Sequence, residues 1–509
     1  MEATSSASLI VSAGSSTVGQ LFHNAAAAYP ERIALNDGGT AFTYAELERR
    51  SNALANFFLA SGIQPNDRIA VLCRNRHEYF ELLLAASKVG AIVAALNWRL
   101  LGQELEHCVN LVSPKMVFAA QELVGALGRV NDADLPKIVI EERYERLVIE
   151  NAGAYPDKRF DPETGLVILY TSGTTGLPKG ALISHRAMVA RGMLYNFLLN
   201  VPDQDNFVAW APFYHMVSTD HGLATLMRGG TVWCADGYQP ERLIWLVENL
   251  HITWFPVVPG MVGSFNEELK KRSVKPKGIK VIGAMADLIP RDEIAEATRL
   301  LNAPFLNTFG ATETGLPPAT GGLIPIGVAP EKLSKLQSPY CDLRLEDPDG
   351  NEVPTGVPGE AAVAGPTVFS GYWNNDKTNL SDFRGGRFHM GDVLRRNADG
   401  TLDYVDRVKY MIKSGGENIY PAEIELAITT DARIETAIVV KKKDPKWGEV
   451  PVVFIVSRDP SLTEEDVLAL CKGTLASYKR PKEAIFIKEA DIPRSTTGKI
   501  QRHLLEQKL

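Results

Sequence analysis

"LVILYTSGTTGLPKG", residues 166–180, joins a run of leucine, valine and isoleucine to a loop of hydroxyls, three glycines and one lysine. A short leucine-rich and β-branched run bounded by turn residues reads as a buried strand. The loop then leaves the strand's carboxyl end, where open α/β sheets bind their ligands. Glycines let backbone N–H groups converge on an anion, Ser172, Thr174 and Thr175 add hydroxyl donors, and Lys179 adds a charge. The stretch is not a Walker loop. Counted from Gly173, Pro178 stands where the second glycine belongs and Gly180 where the magnesium-binding hydroxyl belongs. No Gly-x-Gly occurs in the chain, so a Rossmann dinucleotide fingerprint is excluded as well. What remains is a phosphate-holding loop of another kind, or a Gly/Thr-rich surface loop.

Upstream, helix and strand patterns take turns. "TYAE" (43–46) spells a capping box and opens a helix pattern to about Ala60. "RIAVLC" (68–73) reads as a strand, "HEYFELLLAASKVG" (77–90) as a helix, and "AIVAAL" (91–96) and "KMVFAA" (115–120) as further strands. Such alternation predicts a parallel sheet with helices on its faces, an α/β fold.

Beyond Asp392 the texture changes. "GDVLRRNADGTLDYVDR" (391–407) is two strand-like runs around Asn397-Ala398-Asp399-Gly400, a hairpin signal. A helix opened by Pro421, strands at 436–440 and 450–456, a helix capped at Ser461 with Glu464 as its box partner, and a strand at 484–487 follow. We therefore expect a large N-terminal α/β domain with several sheets (1–405), a hinge at 406–409 and a small mobile α+β domain (410–509).

Composition bounds the function. A chain of 509 residues suits two or three domains. With 45% hydrophobic and 23% charged residues it is an ordinary globular sequence. A net charge of -7 gives no broad attraction for nucleic acid or an anionic membrane, so any anion is held locally. Five scattered cysteines without Cys-x-x-Cys spacing argue against a disulfide framework or zinc site and fit a reducing cytoplasm. The N-terminal "MEATSSASLIVSAGSSTV" has no lysine or arginine and is not read as a signal peptide. No apolar run approaches the roughly 18 to 20 residues of a spanning helix, so integral membrane association is not expected.

Six stretches in order carry the functional reading: "TSGTTGLPKG" (171–180), "FYHM" (213–216), "NTFGATETG" (307–315), "FHMGD" (388–392), "DRVKYMIKSGGENIYPAEIE" (406–425) and "PRSTTGKI" (493–500). Together they resemble the adenylate-forming superfamily of acyl-CoA synthetases, luciferases and peptide-synthetase adenylation domains, over nearly the whole chain. The resemblance implies that a carboxylic acid is activated by ATP and Mg²⁺ as acyl-AMP and then passed to a thiol. It assigns Thr171, Ser172, Gly173, Thr174, Thr175, Gly176 and Lys179 to the ATP phosphates. Phe309, in place of the tyrosine of many relatives, would stack on adenine beside Gly310 and Ala311, and Thr312 would touch the α-phosphate. Glu313 resembles the metal ligand, Asp392 and Arg407 the ribose contacts. Lys499 resembles the lysine that stabilises the adenylation step, with Thr171, His215 and Glu313 completing the catalytic group.

By the same resemblance His215, Met216, Val258, Gly283, Ala284 and Met285 line the acyl site, and Lys413, Ser414, Gly415 and Gly416 admit CoA once the small domain turns about Lys409. The lining is small or apolar, which predicts an acid apolar beyond its carboxylate. Where relatives have a Gly-Ser-x-Gly-x-Pro run, this chain has "KLSKLQSP" (332–339), so its pocket wall differs. His221 and Asp220 lack a third ligand at suitable spacing, and a metal reading is rejected there. The expected partners are the acid, ATP and CoA, with a homodimer left open beside a monomer. Carrier-protein pantetheine is the alternative acceptor to CoA, and a catalytically dead scaffold the remaining class.

Overall fold

The capping box forms as spelled. Thr43 Oγ1 accepts from the Glu46 N–H at 3.2 Å and Glu46 Oε2 from the Thr43 N–H at 2.8 Å, opening the helix Tyr44–Ala60. This helix belongs to a computed structural model that describes residues 16–100, 102–129, 134–171, 177–415, 417–472, 474–494 and 500–509. Two compact units are seen, Met1–Leu343 with Val363–Phe388, and Arg344–Ala362 with His389–Leu509.

The first unit is built on two sheets. One has six strands in the order Lys137–Val139, Met116–Ala119, Arg68–Leu72, Ile92–Ala95, Gly165–Thr171, Lys179–Ser184, all parallel except the last pair. The other has eight: Leu323–Ile324, Phe305–Asn307, Gly278–Ala284, His251–Pro256, Asn206–Ala209, Thr231–Cys234, Ile33–Asn36, Ala41–Thr43. Its inner pairings are parallel and each edge carries an antiparallel strand. Both sheets bury near-continuous apolar strands under helices, and the strand runs expected at 68–73, 91–96 and 115–120 all fall in the six-stranded one. Helices return to the sheet through left-handed turns at Gly90 (φ 75°) and Gly229 (φ 97°), where glycine is cheapest.

The second unit has its own core. Strands Ile434–Asp444 and Gly448–Ser457 pair antiparallel, with Ala484–Phe486 parallel to the latter. Alternate residues face opposite ways: Val439, Val453 and Ile455 pack with Ile424, Ile428 and Val467, while Ile438, Val440, Phe454 and Val456 pack with Ile492 and Leu505. The expected hairpin is present as Arg387–Arg396 and Leu402–Arg407, its turn closed by the Asn397 N–H on the Thr401 carbonyl at 2.8 Å. The residues expected to hinge, 406–409, fall inside this unit, at the end of Leu402–Arg407 and in the turn Val408–Tyr410.

One helix start differs from expectation. The helix Glu464–Leu470 is capped by Thr463 with Asp466 as box partner, not by Ser461 with Glu464. Ser461 is already engaged, because its N–H and Oγ both donate to Asp459 Oδ1 at 2.9 and 2.7 Å, a local turn that competes with capping.

All five cysteines are unpaired and buried. Burial raises their thiols, pushing Cys108 and Cys341 up to about 12. Among the described residues no helix is long and apolar enough to cross a membrane.

Candidate active site

Strand pairing sets Thr171 opposite Lys179 and Tyr170 opposite Gly180, so the two ends of the hydroxyl-rich loop lie side by side. Ser172, Gly173, Thr174, Thr175 and Gly176 are outside the described residues. Thr171 Oγ1 is buried with no hydrogen-bond partner among the described residues. Lys179 Nζ stands 3.8 Å from the centre of the Tyr372 ring and 3.9 Å from Asp382 Oδ2. Tyr372 in turn donates its phenolic O–H to Glu313 Oε1 at 2.8 Å. Thr171, Lys179, Tyr372 and Glu313 thus form one continuous patch.

Sequence reasoning missed Tyr372. Its position follows from residues 369–373 running antiparallel along Lys179–Ser184: Ser370 N–H donates to Leu182 O, Leu182 N–H to Gly371 O, and Trp373 N–H to Gly180 O, at 2.8, 3.0 and 2.8 Å. The aromatic "FSGYW" run is the signal that could have found it, since an alternating apolar stretch with one phenol beside a loop lysine is a strand that carries a polar end.

Glu313 and Thr312 sit at the centre of a tight turn. The Thr314 N–H donates to Ala311 O at 3.0 Å while Thr314 Oγ1 accepts from the Ala311 N–H at 3.1 Å. Gly310 precedes the turn where nothing larger fits, since a Cβ there would lie 1.9 Å from the Gly315 carbonyl oxygen. The turn is held from two sides: the Phe369 N–H donates to Glu313 O at 2.8 Å, and Arg191 Nη2 to Thr312 O at 3.0 Å. Arg191 also donates to Thr367 O at 3.0 Å and Asp220 Oδ2 at 2.9 Å, all deeply buried. Burial pushes the Asp220 carboxyl above the usual range and Arg191 pulls it back. Asp220 therefore serves an ion pair, and His221 turns its Nδ1 to Val217 O at 2.7 Å. Neither Arg191 nor Asp220 is in a motif that sequence reading would select.

The remaining residues of the first unit gather at the carboxyl edge of the eight-stranded sheet. His215, half-buried against the Tyr214 ring at 4.6 Å, and Met216 open the helix Met216–Arg228 after the strand Asn206–Ala209. Val258 follows His251–Pro256, Gly283 and Ala284 end Gly278–Ala284, Met285 comes next, and Phe309 follows Phe305–Asn307. Register joins them: Gly283 pairs with Leu306, Ala284 with Asn307, and the Thr308 N–H donates to Ala284 O at 2.9 Å. Phe309 is buried and Val258 exposed. The divergent stretch 332–339 packs here too. Its Lys335 is fully buried, with Nζ donating to Asp287 Oδ2 at 2.5 Å, while Asn307 Nδ2 donates to Leu333 O at 2.8 Å.

In the second unit Asp392 and Arg407 are direct cross-strand partners, Nε to Oδ1 2.9 Å, with the carboxylate buried and the guanidinium half-exposed. Lys409 is exposed on the turn Val408–Tyr410. Lys413 and Ser414 end the strand Ile412–Ser414, and Gly415 (φ 60°) donates its N–H to Trp447 O at 2.8 Å. A Cβ on Gly415 would meet the Trp447 ring at 2.8 Å. Gly416 and Lys499 lie outside the described residues; an antiparallel bridge between Arg494 and Ile500 brackets the latter.

Residues 22–373 match the AMP-binding enzyme family, and residues 423–499 match the AMP-binding enzyme C-terminal domain. The chain belongs to the AMP-binding enzyme family. Among its relatives in this family is a feruloyl-CoA synthase from Amycolatopsis sp, 33% identical over 483 residues that cover 92% of this chain and 94% of the relative. An indoleacetate–CoA ligase from Aromatoleum aromaticum is 30% identical, covering 94% and 95%. Among solved structures, the o-succinylbenzoate CoA synthetase of Bacillus subtilis with its acyl-adenylate intermediate superimposes with a TM-score of 0.81 at 25% identity, covering 96% of this chain and 97% of that one.

Proposed function

We propose that this AMP-binding enzyme is an ATP-dependent acyl-CoA synthetase whose substrate is an aromatic carboxylic acid. The observation that carries the reading is the patch of Thr171, Lys179, Tyr372 and Glu313 at the carboxyl end of Gly165–Thr171. It combines a cation, an oriented carboxylate and a buried hydroxyl with no partner among the described residues, the donor and acceptor types that polyphosphate binding needs.

A carboxylate is a poor acyl donor because oxide is a poor leaving group. One carboxylate oxygen attacks the α-phosphorus of ATP, the bond from that phosphorus to the bridging oxygen breaks, and pyrophosphate departs. The acyl carbon of the resulting acyl-adenylate is then attacked by the CoA thiol, which loses its proton, and AMP leaves. Lys179 steadies the departing phosphates, Thr312 meets the α-phosphate, and Phe309 backs the adenine. Asp392 accepts from the ribose hydroxyls while Arg407 orients it. Glu313 has one carboxylate oxygen engaged by Tyr372 and a second to offer, a hard donor that suits magnesium. Bound there, magnesium supplies positive charge against the phosphates.

Lys499 stabilises the adenylation transition state, and the segment Lys413–Gly416 admits the thiol after rotation about Lys409. His215, Met216, Val258, Gly283, Ala284 and Met285 enclose the acid. The names of the aromatic-acid ligases among the relatives support the substrate class. Unpaired buried cysteines are in keeping with work in the cytoplasm.

The experiment is a panel of aromatic and aliphatic acids read by pyrophosphate release and by CoA-dependent AMP formation. Turnover of aromatic acids with free CoA is expected. A panel in which no acid yields pyrophosphate, or in which only a carrier protein accepts the acyl group, would refute it.

A further inference from the structure

Two polar atoms are buried without a hydrogen-bond partner among the described residues: Trp254 Nε1, beside Gly283 of the proposed acyl site, and Tyr195 Oη. The side chains are 3% and 1% exposed, and Phe207 and His221, at 0% and 3%, complete a cluster with them. The four come from separate elements, the helices His185–Leu199 and Met216–Arg228 and the strands Asn206–Ala209 and His251–Pro256. The His221 ring centre lies 4.7 Å from Tyr195 and 4.4 Å from Trp254, edge to face in both pairs. An indole N–H and a phenol sealed in a core unpaired are unfavourable, so a cluster that keeps two of them calls for a partner.

The polarity of the third member is fixed by its other contact. With Nδ1 held on Val217 O, the His221 ring donates there and presents Nε2 as an acceptor. Burial pushes the ring down to about 4, which keeps it neutral near pH 7. The cluster therefore offers one obligate donor, one acceptor and one hydroxyl able to do either.

Its place relative to the acid follows from two features. Gly283 has no side chain where a Cβ would stand 2.9 Å from Trp254 Nε1, so the indole N–H lies against the backbone of an acyl-site residue. His221 is on the helix that His215 opens, six residues on, or about 9 Å along the axis. An arylacetic or arylpropenoic acid with its carboxylate at His215 reaches that far.

We propose that Trp254, His221 and Tyr195 form a polar end wall that recognises a hydroxyl at the distal end of an aromatic acid. The hydroxyl accepts from Trp254 Nε1 and donates to His221 Nε2, with Tyr195 Oη as a further partner. This rests on the acid-ligase reading above and refines its apolar pocket with one polar terminus.

The test measures dissociation constants by isothermal titration, with a non-reacting methylene analogue of ATP present. The ligands are 3-phenylpropenoic acid and its 4-hydroxy and 4-methoxy forms. The wild type is expected to bind the hydroxy acid at least about tenfold more tightly than the deoxy acid, with the methoxy acid, which cannot donate, in between. Trp254→Phe and Tyr195→Phe should each shrink that ratio to roughly threefold or less, circular dichroism confirming the fold. Should Trp254→Phe fail to fold, Tyr195→Phe and His221→Gln read the same ratio. Equal affinities in the wild type, an undiminished ratio in the variants, or no binding of any of the three acids overturns the end wall. Pyrophosphate release is read separately: its absence with all three acids would remove the ligase reading, while the affinity ratios still decide the wall.

Discussion

Arg191→Met asks whether the turn that carries Glu313 is held by a buried charge. Methionine keeps the aliphatic length and removes the guanidinium, and with it three hydrogen bonds of 2.9 to 3.0 Å to Asp220, Thr367 and Thr312. Both side chains of the ion pair are nearly inaccessible, 3% and 4% exposed, so the loss is not softened by solvent. Breaking a buried pair from one side destabilises by about 3–5 kcal/mol. Asp220 already has its carboxyl raised by burial, so it takes up a proton once Arg191 is gone, and the low end, about 3 kcal/mol, is expected. A hydrogen bond from a charged donor contributes about 1.5–3 kcal/mol. Losing the one that fixes the Thr312 carbonyl should therefore slow acyl-adenylate formation roughly ten- to a hundredfold. Denaturant unfolding and ATP–pyrophosphate exchange report the two effects separately. In Arg191→Met/Asp220→Leu the orphaned carboxylate is gone, so stability should largely return while exchange stays slow. A stable Arg191→Met protein that exchanges at the wild-type rate would refute the role given to this pair.

Three other outcomes are expected. Tyr372→Phe removes the donor to Glu313 Oε1, and the magnesium concentration for half-maximal exchange should rise severalfold; an unchanged magnesium titration would detach Tyr372 from the metal role proposed for Glu313. Lys499→Ala should slow adenylation by about 10²–10³ while thioester formation from synthetic acyl-adenylate proceeds near normal, and equal slowing of both steps would count against a two-faced small domain. His185 is buried, and burial pushes it to about 3, against roughly 6.5 in the unfolded chain. Between these values the unfolded state binds the extra proton, so stability falls as pH drops through that window. His185→Gln should therefore lose less stability than the wild type between pH 7 and 5, and parallel pH profiles would show that His185 does not contribute.

Local chemistry made much of this protein readable from its residues. The Thr43–Glu46 box, the strand at 165–171 and the Asn397–Gly400 hairpin each depend on contacts within a few positions, and each formed as written. The cap at Thr463 was misread because two overlapping boxes fit "SLTEED", and only Asp459, two residues before Ser461, decided between them. Side chains supplied from afar were not legible. Arg191 reaches Thr312 across 121 positions and Tyr372 reaches Glu313 across 59, and neither spacing has a pattern that a single sequence displays. Lys335 carries a charge into the divergent stretch 332–339, and only the fold brings Asp287 to neutralise it in the core. The proposed acyl-site residues were named by resemblance, whereas the polar cluster behind Gly283 draws one residue from each of four elements.

The buried thiols make the molecule a recorder of its own openings. A thiol-directed reagent attacks the thiolate, and burial raises every one of the five thiols while shielding the sulfur. Labelling at each site can then proceed only as fast as the surrounding structure opens. Cys73 and Cys108 watch the six-stranded sheet, Cys234 the eight-stranded one, and Cys471 the core of the second unit. Peptide mass spectrometry of a labelling time course would give a separate clock at each of the five sites without a single introduced probe. Adding ATP should slow the clocks of the regions it binds and leave the others running.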